Sequence, residues 1–130
     1  MKILVAYNGS DVAKKALDLA KNYAKTYDAM VYIITSMEGG SREKLEEISK
    51  SEQDLKYAQE IMKKDGIKCD GYQTVRGLSP GEDLVRFAKE NNIDHIFVGI
   101  EKKSKTMKLF LGSTAQYIIL KAPCPVTTIR

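Results

Sequence analysis

Histidine and cysteine are scarce in this 130-residue chain: one imidazole, His95, and two thiols, Cys69 and Cys124, without CxxC spacing. Too few soft ligands remain for a structural zinc site, and two free thiols suit a reducing compartment. His95 sits beside Asp94 inside an apolar run with no nucleophile near it in sequence, so a structural hydrogen bond is expected of it rather than catalysis. No apolar run approaches the ~20 residues that span a bilayer. The opening MKILVAYNGS stops too soon for a signal peptide and lacks a small-residue cleavage site, so a cytoplasmic protein is expected.

Other absences are of motifs. There is no GxxxxGK[ST] phosphate loop, no GxGxxG turn and no GxSxG nucleophile elbow. A response regulator would need an acidic phosphoacceptor and acidic neighbours for Mg²⁺ at a strand end, and the first strand ends on Asn8. The seven tyrosines are scattered, without the paired platform of a single-strand nucleic-acid binder. The net charge of +4 is spread along the chain apart from one lysine cluster, so nucleic acid is not indicated; with one histidine and two distant cysteines, no metal site is expected.

What is present is an alternation of strand and helix patterns. Lys2–Tyr7 (KILVAY) is a nearly continuous apolar run, as in a strand covered on both faces. Ser10 can cap a helix whose inward residues recur at Ala13, Ala16, Leu17, Ala20, Ala24 and Tyr27. Ala29–Thr35 is a second buried strand. A helix starting at Ser41 carries Leu45, Ile48, Leu55, Ala58 and Met62 on one face and closes at Gly66. Ile67–Arg76 is a third strand, more polar, interrupted at Gly71 and expected at a sheet edge. Ser79-Pro80-Gly81-Glu82 is a capping box ahead of Leu84, Val85, Phe87 and Ala88. Asp94–Gly99 is the fourth strand, and a helix from about Gly112 to Lys121 turns Ala115, Ile118 and Ile119 inward. Pro123 stops that helix, and Pro125–Ile129 is the fifth strand.

With no linker or low-complexity segment, residues 1–130 read as one α/β domain. The expected fold is an open, doubly wound parallel sheet of five strands in the order 3-2-1-4-5, with helices on both faces. The chain reverses direction between strands 1 and 4, and ligands of such sheets bind at that switch point, outside the carboxyl ends of the strands. Those ends are Ala6-Tyr7-Asn8 and Val98-Gly99. Gly112 and Ser113 open the last helix, whose unpaired amides favour an anion, and Thr114 adds a hydroxyl. Lys102, Lys103, Lys105 and Lys108 precede them. The bland alternative is a helix start behind a solvated basic loop.

The stretches ILVAYNGSDVAKKAL and VGIEKKSKTMKLFLGSTAQYIILKAPCPVTTIR resemble the universal stress protein family along nearly the whole chain. Its nucleotide-binding members carry G-x2-G-x9-G-[ST] after strand 4. Gly99 and Gly112-Ser113 match at the right spacing, and Lys102 stands where the middle glycine belongs. Those members usually have Asp at the end of strand 1, where this chain has Asn8, which keeps an acceptor oxygen and adds a donor.

The resemblance implies an adenine nucleotide, ATP or AMP, with accompanying Mg²⁺ left open. It places Ala6, Tyr7, Asn8 and Ser36 on the adenine side, and Gly99, Lys102, Gly112, Ser113 and Thr114 on the phosphate side. It also implies a stress or signalling sensor that binds rather than catalyses, and a homodimer paired through strand 125–129. The alternative is a dimeric interaction module of the same fold that has lost the nucleotide, supported by Lys102 and Asn8. Slow ATP hydrolysis is the third possibility; Glu101 is the only carboxylate beside the loop, with no position readable from sequence. Ser10 and Ser113 are expected to be helix caps first.

Overall fold

Burial on both faces is what continuous apolar strands require, and Ile3, Leu4 and Val5 of the first strand are each wholly inaccessible. The computed structural model describes residues 1–36, 45–74, 79–101 and 112–130. Over these the order is β1 Lys2–Ala6, α1 Asp11–Tyr27, β2 Met30–Ser36, α2 Leu45–Lys64, β3 Cys69–Thr74, α3 Pro80–Glu90, β4 His95–Gly99, α4 Ser113–Lys121 and β5 Val126–Ile129. The strands pair in parallel in the order β3-β2-β1-β4-β5, as right-handed crossovers demand.

Alternation along the central strands feeds two cores. Ile3, Val5, Val31, Ile33 and Phe97 face α1 and α2, where Ala13, Ala16, Ala20 and Ala24 present small side chains to the sheet. Leu4, Ile34, Ile96 and Val98 face α3 and α4, meeting Leu84, Val85, Ala88 and Ile118. The expected caps at Ser10 and Ser79 form: Ser10 Oγ accepts from the Ala13 amide at 3.2 Å, and Ser79 Oγ from the Glu82 amide at 3.4 Å. His95 makes its structural contact, Nε2 to Thr127 Oγ1 at 2.7 Å, which ties β4 to β5.

Three local expectations are corrected. Tyr27 is 55% exposed; the helix ends there, Asp28 turns the chain in a left-handed conformation, and the ring lies along Tyr23. Ile119 is 42% exposed because α4 buries a narrow stripe through Ala115 and Ile118, and the next residue is rotated about 100° away. Gly71 does not interrupt the edge strand β3. It pairs with Ile33, and its missing side chain admits Leu55 and Gln59 of α2, which would lie 2.9 Å or less from a Cβ there. The expected helix start at Ser41 and strand end at Arg76 lie outside the described residues.

Candidate functional site

After β1 the chain crosses to α1 on one face of the sheet; after β4 it crosses to α4 on the other. The two adjacent strand ends therefore part, and a cleft of about 280 Å³ lies between them. Its apolar wall is Ala6, Ile34, Val98, Pro80 and Leu84, the last two from the first turns of α3. Its polar side is Asn8, Glu101, Gly112, Ser113 and Thr114. The arrangement suits a flat apolar group at one side and an anion at the other.

The anion end follows from helix chemistry. The first amides of any helix lack intrahelical partners. In α1 and α3 a serine side chain caps them and acidic residues occupy the first turn. In α4 the cap is Gly112, without a side-chain bond among the described residues and without an acidic residue in the first turn. The positive end of its dipole thus opens on the cleft. This corrects the expectation for Ser113, which is the first helical residue, exposed, and not the cap.

At the tip of β1, Asn8 is committed on both sides. Its Oδ1 accepts from the Ser10 amide at 3.0 Å, forming a turn around Gly9, whose φ is +78°. Its Nδ2 is turned to Glu101 Oε1, at 3.4 Å. The acceptor that sequence reasoning credited to Asn8 is thus used locally, and a carboxylate arrives instead from the end of β4. Glu101 had no position readable from its neighbours in sequence; its partner lies 93 residues away.

With the cleft defined, likeness to known proteins acquires meaning. A family model described as the universal stress protein family matches residues 1–130. The chain belongs to this family. A universal stress protein of Methanocaldococcus jannaschii is 31% identical over 99% of this chain and 81% of its own length. Among solved structures, one universal stress protein from Archaeoglobus fulgidus is 37% identical with a TM-score of 0.88, covering 99% of this chain and 96% of its own. Another, from the same organism and in complex with dAMP, is 33% identical with a TM-score of 0.81, covering 99% and 95%.

In this universal stress protein the residues singled out from sequence divide into groups. Ala6, Asn8, Gly112, Ser113 and Thr114 line the cleft. Tyr7 lines it too, although its ring belongs to the core beneath α1 and α2, and its carbonyl accepts from Thr35 Oγ1 at 3.0 Å. The buried phenol is pushed up to about 12 by desolvation and then by the nearby carboxylates of Asp54 and Asp18. Gly99 borders the cleft, but α1 occupies the space of its missing side chain: a Cβ would lie 2.6 Å from the Val12 carbonyl carbon. Ser36 ends β2, paired with Thr74, and Lys102 lies outside the described residues. Sequence reasoning gives Pro80 and Leu84 no place in the site and considers Glu101 only for hydrolysis, because only tertiary folding brings α3 and the end of β4 to β1.

No group of three or more His, Cys, Asp or Glu able to hold a metal occurs among the described residues. The described lining of the cleft offers Mg²⁺ one carboxylate, Glu101, short of the oxygen ligands the ion requires. No described helix is long and apolar enough to cross a membrane.

Proposed function

We propose that this universal stress protein binds an adenine nucleotide, AMP or ATP, at the switch-point cleft and acts as a stress or signalling sensor rather than an enzyme. The observation that carries this reading is the start of α4, without a side-chain cap among the described residues, facing an apolar wall across one cleft. The amides of Ser113 and Thr114 would take a phosphate, while Ile34, Leu84 and Val98 would cover one face of the base. The dAMP complex of the 33% identical Archaeoglobus relative supports the ligand class. Isothermal titration with AMP, and with ATP and Mg²⁺, tests it. Heat release and a raised melting temperature are expected, since a ligand bound only to the folded state must stabilise it. Silence in both assays at millimolar nucleotide refutes the proposal.

A second reading, an interaction module without nucleotide, draws on Asn8, whose acceptor is already used by Ser10. Lys102→Gly separates the two readings: nucleotide binding that appears only in that variant supports the module. For either reading we place the homodimer contact on β5, an outer strand of the sheet. Val126 and Ile129 of β5 are only half-buried, and Leu120, near the end of α4, is 76% exposed. Sedimentation at micromolar concentration should give a dimer. The two cores share one sheet, which supports residues 1–130 as one domain, and the free thiols suit a cytoplasmic location.

A further inference from the structure

We propose that Glu101 is the residue that selects the sugar, accepting hydrogen bonds from the ribose hydroxyls and favouring ribonucleotides over deoxyribonucleotides. This rests on the nucleotide reading above. Glu101 is the one charged residue among the described lining of the cleft, it is exposed to an entering ligand, and it lies within 3.4 Å of the Asn8 amide.

An ionised carboxylate only accepts hydrogen bonds. It cannot pair with phosphate, which also only accepts, and it gains nothing from the apolar face of a base. Phosphate is provided for at the start of α4, and the base at Ile34, Leu84 and Val98. The donors left on the ligand are the sugar hydroxyls and the exocyclic amine of adenine. Dinucleotide-binding doubly wound folds likewise use an acidic side chain to accept the ribose 2′-hydroxyl, although from a different strand. Asn8 acts as a positioning residue: with Oδ1 accepting from the Ser10 amide, its Nδ2 faces Glu101 Oε1 at 3.4 Å.

Titration calorimetry of the wild type and of Glu101→Ala with AMP, dAMP and IMP decides the matter. A hydrogen bond to a charged acceptor corresponds to at least roughly tenfold in affinity, so the wild type should prefer AMP to dAMP by that factor. In Glu101→Ala the AMP-to-dAMP ratio should fall close to one, and in Glu101→Gln to an intermediate value. Far-UV circular dichroism and melting establish that each variant is folded. A wild type that binds AMP and dAMP equally overturns the proposal while leaving nucleotide binding in place. So does a variant that keeps the ribose preference, or one that instead loses discrimination between AMP and IMP, since that would put Glu101 on the adenine amine. Absence of binding by all three, and by ATP, would remove the nucleotide reading and this proposal with it.

Discussion

Replacing Gly99 by alanine tests how β4 is seated against α1. A Cβ at this position would lie 2.6 Å from the carbonyl carbon of Val12, 2.7 Å from its oxygen and 2.9 Å from the Ala13 nitrogen. The closest approach is about 0.8 Å short of ordinary contact at 3.4 Å. All three neighbours are backbone atoms of the first turn of α1, so no side chain can rotate away. Either the helix lifts from the sheet or β4 shifts, and both loosen the core around Ala13, Ala16 and Phe97. Overpacking of this kind costs about 3 kcal/mol at the upper end of its usual range. The smaller unfolded-state entropy of alanine offsets less than about 1 kcal/mol of it. A net loss of about 2 kcal/mol in a chain of this size lowers the melting temperature by about 7 °C. Thermal melting by circular dichroism without ligand measures it. A Gly99→Ala protein that melts at or above the wild type would refute the close approach, and Gly99 would revert to a residue kept for the ligand alone.

Gly112→Ala forms the matching control: no atom of the described residues lies within 4 Å of its added carbon and its φ of −60° suits any residue, so stability should change by less than about 1 kcal/mol. Its effect should appear as weakened nucleotide binding in titration, because the methyl would stand beside the exposed amides of α4. Tyr7→Phe should stabilise the protein by about 1 kcal/mol in chemical denaturation, since the buried hydroxyl has no partner among the described residues. The phenol's raised pKa favours the protonated form in the folded state. Its stability contribution is therefore complete below pH 10 and lost as pH rises to about 12, and the Phe variant should lack that alkaline step. Burial lowers the pKa of His95, so the folded state favours the neutral ring. Stability should be lost as pH falls below 6.5 through the folded midpoint, and an NMR midpoint at or above 6.5 would contradict the desolvation argument. Asn8→Asp should weaken AMP binding by placing a second carboxylate against Glu101, and Glu101→Gln in the same chain should recover part of the loss.

How far the chain can be read without coordinates depends on the range of each interaction. Apolar runs, helical spacing and the serines at positions 10 and 79 act within a few residues, so strands, helices and two caps were visible in advance. Handedness of parallel crossovers then gave the strand order and hence the place of the cleft. Side-chain direction at strand ends was harder. Tyr7 follows the alternation of Ile3 and Val5 into the core beneath α1 and α2, and its carbonyl accepts from Thr35. Serine is a frequent helix cap, but in α4 Gly112 holds that position and Ser113 is the first helical residue.

Sequence alone determined the layers, the topology and the end of the sheet at which a ligand could sit, because binary patterning and turn chemistry are local and nearly sufficient for these. Tertiary structure decided which groups meet in the cleft. Glu101 reaches Asn8 across 93 residues, α3 contributes Pro80 and Leu84, and the first turn of α1 fills the space that the bare Cα of Gly99 leaves open. Those are contacts between elements, settled by packing distance, and residues that are neighbours only in space leave no periodicity in the chain to announce them.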